Sequence, residues 1–461
     1  MLLVSSLSLI IVSPTLTKAF NPSGVIRWKS SQSLTFVTQA KRLHRFFHQQ
    51  SMSSSSEWIV SSLDDTEKDG RSTEEETPTE KSIPTHLFLH FDINETILLG
   101  DDAGGDSRNE SIEKMLAKSA FCQIPASSGN SWEDTHELEP THWWDGQEIG
   151  KETSMPPLYT GWKWPKNCCP YYRTAYKKHA KYFTEEGHHG QIYAPLLQAC
   201  EASLPKTYNM HSGHTILPAF YDTLCHLIED YQNSEESQRP PFTVIFRTFG
   251  SDVSDIASVV TSFAKGEHPE YPDIKFPPLY LTEDRLYQGH WKEVEEGKVV
   301  YQLWTSDESE LVASGDAEIL EVLSGKAQAN KDESPPVAIY GIVDDYPFWD
   351  ARECSPTAGK PIWVPQYNRK DDGTPYSHHL FFDDNIHNLA DDSIASVRKE
   401  STVDEAGAKS FDTVDGTKLT EYQGIHLVRV PTVEPVLNPK WYIEQIEKAR
   451  KRLQLQLQSQ L

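Results

Sequence analysis

Cysteine is scarce in this chain and poorly spaced for chemistry: six in 461 residues, with no Cys-x-x-Cys pair. That spacing argues against a zinc ribbon or a thioredoxin-type dithiol. The one adjacent pair, Cys168-Cys169 before Pro170, is expected to be two packed free thiols, with metal or redox work as the alternative. Beyond the N-terminus no apolar run reaches the ~18 residues that crossing a bilayer requires. No internal repeat is present, which removes solenoid architectures. Positive charge is also short, 43 Lys+Arg against 68 Asp+Glu for a net −25. Residues 1–51 hold six Lys/Arg and no acid, so the other 410 residues carry −31. A body that acidic is a poor partner for nucleic acid or an anionic membrane, while metal binding stays open. Only 37% of residues are hydrophobic, yet 12 Trp, 19 Tyr and 18 Phe supply bulk for a core. The length suits one large or two ordinary domains, and nothing in it speaks to oligomeric state.

The first fifty residues have the composition of an address. Leu2–Val12 is an apolar run of signal-peptide length, and Thr17 and Ala19 suit the small positions of a cleavage site before Phe20. Residues 20–51 are basic, Ser-rich and free of acids, as transit peptides are. A signal at 1–19 followed by Ala19-Phe20 resembles a bipartite plastid-targeting leader, in which such a pair marks the boundary. The alternatives are an ordinary secretory signal with a basic spacer, or a cytosolic form begun at Met52. Residues 52–83 are dominated by Ser, Thr, Glu and Asp and are expected to be a disordered linker.

Four short segments then carry the chemistry. They are Phe91-Asp92-Ile93-Asn94-Glu95-Thr96, Phe246-Arg247-Thr248-Phe249, Gly359-Lys360-Pro361 and Phe381-Phe382-Asp383-Asp384-Asn385. In three of them an apolar β-type run (His86–Phe91, Phe242–Phe246, Leu380–Phe382) leads into the polar residue. Buried parallel strands read as short apolar runs, and open α/β sheets bind ligands at the strands' carboxyl ends. A carboxylate there can attack phosphorus directly. Thr248 would hydrogen-bond a phosphoryl oxygen, Lys360 would offset charge on Asp92 and the phosphate, and carboxylates would hold a hard cation. Each residue has a blander use, as helix cap, loop lysine or solvated acid. Their order and attached strands are what single them out.

This pattern resembles the haloacid dehalogenase-like superfamily. The string Phe91–Leu99, with Arg247–Asp252 and Phe382–Ile386, is similar to a eukaryotic branch of it that carries Asn where most members have a second Asp. The resemblance covers the core motifs, roughly 200 residues once insertions are excluded. It implies an α/β fold: a Rossmann-like core of three layers with a mainly parallel sheet and a large inserted cap that selects substrate. The core would span 84–100 and 241–438, with insertions near 305–334 and 391–420. The cap would be 101–240, and 439–461 a C-terminal helix. Within the cap, 173–183, 194–202 and 216–231 are expected to be helical; so is 308–323 in the core. Val337–Val343 and Ile425–Val430 are expected to be strands.

By the same resemblance Asp92 is the nucleophile, assisted by Thr248 and Lys360, with Asn94, Thr96 and Thr248 on the substrate. Magnesium would be held by Asp92, the Asn94 main-chain carbonyl, Asp383, Asp384 and Asn388. The implied activity is a magnesium-dependent phosphohydrolase or phosphotransferase acting on a small phosphorylated metabolite through an aspartyl-phosphate. Asn94 breaks the pattern, because its amide has no proton to give a leaving group. General acid–base help is typically worth ~10²–10⁴-fold, or about 3–5 kcal/mol. Three outcomes stay open: leaving groups that need no proton, a substitute acid such as Glu95 or one from the cap, or a silent phosphate-binding or scaffold protein. Asp344-Asp345, at the end of another apolar run, is a competing acidic pair. Arg247 should alternate to the far face of its strand and hold a carboxylate there.

Overall fold

The structure, a computed structural model, describes residues 85–100, 105–125, 135–205, 215–235, 239–325, 337–367, 376–386, 393–403, 409–431 and 433–459. All lie within the unit formed by Asp69–Leu461. The expected leader (1–51) and linker (52–83), part of each core insertion, and Asn388 fall outside the described residues.

The apolar runs pair into one large sheet. Its order is Leu427–Arg429, Tyr376–Asp383, Thr85–Asp92, Phe242–Thr248, Val337–Val343, Leu286–Glu295, Lys298–Thr305 and Leu311–Ser314. The first six strands run parallel, and the last two each join antiparallel to the strand before them. The Asp92 strand is central because every residue from Leu87 to Phe91 is buried, which only a strand covered on both faces allows. Register does the rest. Phe91 sits opposite Phe382 on one side and Phe246 on the other, so Asp92 lies beside Arg247 and one step past the Phe382 pairing. The polar ends of three neighbouring strands therefore share one edge.

Helices cover one face. Pro218–Asn233, Val253–Ala264 and Trp441–Gln458 pack against Leu89, Phe91, Val244, Phe246 and Phe382. Phe220 and Tyr442 set their ring centroids 5.2 Å and 5.6 Å from Phe91. Trp441–Gln458 buries 442, 446, 449, 453 and 457, an i, i+3/i+4 stripe. The Pro218–Asn233 helix, which lies within the 101–240 segment, packs with the core residues of the sheet. A strand crossing to a parallel neighbour needs a helix packed on the sheet to make the return.

The other face departs from the expected helical layer. A three-stranded sheet, Lys360–Val364 with Ala395–Val403 and Lys409–Thr413, lies there with the helix Asp316–Leu323. Trp363 packs with Phe88, Ile245 and Tyr340, while Ile362 and Val397 meet Phe381 and Leu427. The stretch 391–420 was expected as a polar surface insertion. Its acidic average hides Ile394, Ala395 and Val397, all buried, and these place the strand that pairs with Lys360–Val364.

Other boundaries also move. Glu308–Leu323 is no single helix. Leu311–Ser314 extends the sheet, and Gly315, at φ +90°, separates it from the helix that starts at Asp316. The β-branched and apolar run Leu311-Val312-Ala313 favours the strand. Residues 173–183 form 3₁₀ turns instead of an α-helix, pinned by Tyr171 against Tyr176 and Phe183 at 5.4 Å and 4.9 Å. Helices do form at Ala194–Ser203 and Pro218–Asn233, and strands at Val337–Val343 and, shortened, at Leu427–Arg429. Cys168 and Cys169 are buried free thiols, Cys169 opposite Cys122. Burial raises the thiol pKa of both, that of Cys169 to about 12, so neither is poised for redox chemistry. No described helix is long and apolar enough to cross a membrane.

Candidate active site

Asp92 ends its strand 7% exposed, and three elements reach it. Lys360, at the start of the small sheet, gives its ammonium to Asp92 Oδ1 and, at 3.1 Å, to Asp383 Oδ2. Thr96 Oγ1 donates to Asp92 Oδ2 at 3.1 Å and accepts from the Asp384 amide at 3.2 Å. The Asn385 amide donates to Asp383 Oδ1 at 2.8 Å. One carboxylate oxygen each from Asp92, Asp383 and Asp384 lies within 4.8 Å of the others.

The turn after Asp92 sets these groups. Ile97 and Leu98 both return hydrogen bonds to the Ile93 carbonyl at 3.0 Å. Glu95 adopts the left-handed region at φ +55°, a conformation that costs a non-glycine residue of order 1–2 kcal/mol. What offsets it is visible. The buried Glu95 carboxylate binds Lys114 at 2.9 Å and also Lys118. Lys118 continues to Asp384 Oδ2 at 2.9 Å. Both lysines stand on the helix Arg108–Ser119, started by a Ser107/Glu110 capping box. Nothing in the sequence marks them: Lys118 lies 266 residues from Asp384.

Electrostatics follow from this packing. Burial pushes Asp92 well above the usual carboxylate range, Lys360 pulls it back, and Asp383 and Asp384 push it up again. Burial likewise raises Asp384, to about 6, against the pull of Lys118. For Glu95 burial also works upward, but Lys118 and Lys114 win and hold it at about 2. Glu95 is therefore ionised at neutral pH, which argues against it as a substitute proton donor. Thr96 faces the cluster. Its side chain is fully buried, donates to Asp92 and accepts from the Asp384 amide.

Thr248 and Asn94 form a second group flanking the first. Thr248 ends the adjacent parallel strand, and its hydroxyl accepts from the Gly250 amide at 2.8 Å. Asn94 donates through Nδ2 to Asp252 Oδ2 at 2.8 Å. Gly250 stands between them. A Cβ there would lie 2.6 Å from Asp252 Oδ2, 3.4 Å from Thr248 Oγ1 and 3.8 Å from Asn94 Nδ2. The sequence contains Gly250 and Asp252 in plain view but not the Asn94 contact, which spans 158 residues.

Asp344 and Asp345 take no part in the carboxylate cluster. Arg247 grips Asp344 through Nε at 2.9 Å and through Nη2, Tyr301 donates to it as well, and all three are buried. Asp345 caps the turn at Tyr346–Asp350 and accepts from the Trp291 amide at 2.9 Å. Arg247 thus holds a carboxylate, as expected, and its Nη1 donates to the Pro361 carbonyl at 2.8 Å, beside Lys360.

Beneath the site runs a chain of buried histidines. Arg247 Nη1 lies 3.3 Å from His90 Nδ1, and His90 Nε2 lies 3.1 Å from His379 Nδ1. His426 Nδ1 bonds the His379 carbonyl at 2.9 Å, and His378 Nε2 bonds that of Ile425 at 2.7 Å. A guanidinium only donates, so His90 is neutral with its proton on Nε2. Burial lowers all four: His378 to about 3, His426 to about 4, and His90 and His379 well below their usual value.

The unfolded chain therefore protonates first. Folded stability is full above pH ~6.5 and falls as pH drops toward 4. Between pH 6.5 and 5.5 each histidine costs about 1 kcal/mol, some 4 kcal/mol together. Asp384, raised to about 6, and Asp92, also raised in the fold, take up protons as the pH falls and offset part of that loss. A net loss of stability over that window is expected in urea unfolding of the metal-free protein. A flat profile across that window would contradict it.

The three clustered carboxylates supply only hard oxygen donors, which suit magnesium or calcium and not a soft metal. No protein-family model, curated protein or solved structure matches this chain.

Proposed function

We infer that the protein is a magnesium-dependent phosphohydrolase or phosphotransferase of haloacid dehalogenase-like type, acting on a small phosphorylated compound. The observation that carries this is the convergence of Asp92, Asp383 and Asp384 within 4.8 Å around Lys360, at the carboxyl edge of a mainly parallel sheet. Residues that arrive from positions 92, 360 and 383 have no local reason to meet there, and buried like charges are costly unless they do something.

Asp92 is the nucleophile. Its Oδ2 is oriented by Thr96 and its Oδ1 by Lys360, so the carboxylate is held in one rotamer for attack on phosphorus. Lys360 balances charge on Asp92 and the incoming phosphoryl group. Thr248 Oγ1 supplies a hydrogen bond to a phosphoryl oxygen. Magnesium, bound by Asp92, Asp383, Asp384 and the Asn94 main-chain carbonyl, would neutralise the phosphate and the clustered carboxylates. The segment 105–205 serves as the cap, since its helix already reaches the site through Lys118.

One observation favours the alternative, a silent phosphate-binding protein: with Asn94 inert and Glu95 held at about 2, neither residue after the nucleophile gives a proton. The two are separated by phosphate release from acetyl phosphate and p-nitrophenyl phosphate, with magnesium and with EDTA. Magnesium-dependent turnover of these good leaving groups, at least ~10² above that of alkyl phosphates, is expected because they leave without a proton. Phosphate binding without turnover of any compound would favour the silent protein.

A further inference from the structure

Arg429 is a charge that the four strand-end motifs leave unexplained. It ends the edge strand Leu427–Arg429 directly opposite Asp383, so it stands on the same sheet edge as Asp92. Its Nη1 donates to the Gly161 carbonyl at 3.0 Å, and it makes no ion pair among the described residues. Its Nε is buried and has no hydrogen-bond partner among them either. A guanidinium held by one Nη keeps its Nε–Nη2 side as a fork, and that fork matches two oxygens of a carboxylate or phosphate. Leaving such a buried donor unmatched is costly.

More cations gather on this flank, in a chain whose net charge is −25. Lys118, 2.9 Å from Asp384 Oδ2, and Lys177 lie 5.5 Å and 5.3 Å from the centroid of one ring, that of Tyr172. The next residue, Arg173, lies over Trp164 at 5.0 Å. Burial lowers the Lys177 ammonium, and Arg173, Lys114 and Lys118 lower it further. Burial lowers Arg429 to about 10; of its neighbours, Asp384 pulls it up and Arg173 pushes it down. The nearby acids are already engaged. Glu95 and Asp384 bind Lys118, and Glu434 accepts from Trp441 Nε1 at 2.7 Å. Like charges gathered from the cap segment and the sheet edge call for an anion.

We propose that this flank is a second anion subsite: the compound whose phosphate meets Asp92 also carries a carboxylate or a second phosphate, which Arg429 takes through Nε and Nη2. Lys118, Arg173 and Lys177 supply the surrounding positive charge. Asp384 ties the two places together. One of its oxygens lies within 4.8 Å of an Asp92 oxygen, and its Oδ2 meets Lys118. Both anionic groups therefore belong to one small molecule. The subsite binds and orients, and it contributes no proton. The proposal rests on the phosphohydrolase reading and narrows its substrate class to phosphorylated acids or bisphosphates, as opposed to phosphates with a neutral remainder.

The test measures kcat/KM of the full chain with magnesium on matched aryl phosphates. Meta and para carboxyphenyl phosphate are set against their methyl esters, and meta and para phenylene bisphosphate against the methoxyphenyl phosphates. The ester withdraws electrons more strongly than the carboxylate, so leaving-group chemistry alone favours the esters. At least one anion-bearing compound should beat its neutral partner by about tenfold or more, the worth of a charge-assisted hydrogen bond. The arm in which it does so identifies the anion as carboxylate or phosphate. Arg429→Gln should bring that ratio down to about one, through KM, and Arg429→Lys should keep only part of it, having the charge without the fork. Each ratio is taken on one preparation, so the folded fraction cancels. Lys177→Gln, at an exposed position, should lower the same ratio about twofold. Turnover of the neutral partners with no preference for any anion-bearing compound, or a preference unmoved by Arg429→Gln, overturns this proposal and leaves the phosphohydrolase intact. No magnesium-dependent release from any compound overturns both.

Discussion

Asp92→Asn is expected to lower magnesium-dependent phosphate release by at least ~10³-fold, about 4 kcal/mol of transition-state stabilisation. An amide cannot form the acyl-phosphate, and no second carboxylate takes over. Asp383 is fully buried against Lys360 and the Asn385 amide, and Asp384 is paired with Lys118. The loss should not come from unfolding. Burial and two neighbouring carboxylates press Asp92 toward its neutral form, so a neutral residue of the same shape relieves repulsion. Lys360 keeps Asp383 as its partner. The unfolding midpoint in EDTA should therefore stay level or rise. Activity surviving in Asp92→Asn would remove the nucleophile from the scheme. A midpoint that falls by several degrees would mean the carboxylate is structural first.

Arg247→Met carries the largest expected cost in stability, about 3–5 kcal/mol. Arg247 is completely buried and meets Asp344 through two nitrogens. Removing it leaves that carboxylate with the Tyr301 hydroxyl and without its ion-pair partner. The cost is that of an orphaned charge, not the worth of the pair, and a second substitution separates the two. Arg247→Met with Asp344→Leu should regain most of the loss, since an apolar replacement of a buried pair is often neutral. Urea unfolding of the two variants checks it, and a single-variant loss below ~1 kcal/mol would contradict the argument. The single variant should also slow turnover, because Arg247 Nη1 holds the Pro361 carbonyl next to Lys360.

Much of the candidate site was legible because strand ends announce themselves. His86–Phe91 and Leu380–Phe382 are apolar runs that stop at an acid, and in a parallel sheet such stops line one edge. Lys360 was legible by spacing alone, 23 residues before Asp383. Its support was not. The strand Ala395–Val403 that pairs with it sits in a stretch whose acidic average conceals the buried Ile394, Ala395 and Val397. Asp344-Asp345 looked like a rival pair because sequence shows charge but not partners. Only packing reveals that Arg247 and Tyr301 already occupy Asp344.

By itself the sequence determined which polar residues stand at the strand termini, Asp92, Thr248, Lys360 and Asp383-Asp384, the mainly parallel sheet that lines them up, and the amide at Asn94. These are local facts, written in runs of five to eight residues whose periodicity and termination are read without knowing any contact. Tertiary structure alone decided the contacts between distant segments. It set Lys118 on Glu95 and Asp384 and turned Thr96 onto Asp92. It put Asp252 against Asn94, where the side-chain amide donates to the carboxylate. Such pairings span 158 and 266 residues, and no local pattern encodes them, because they arise only when separate elements pack on the same sheet edge.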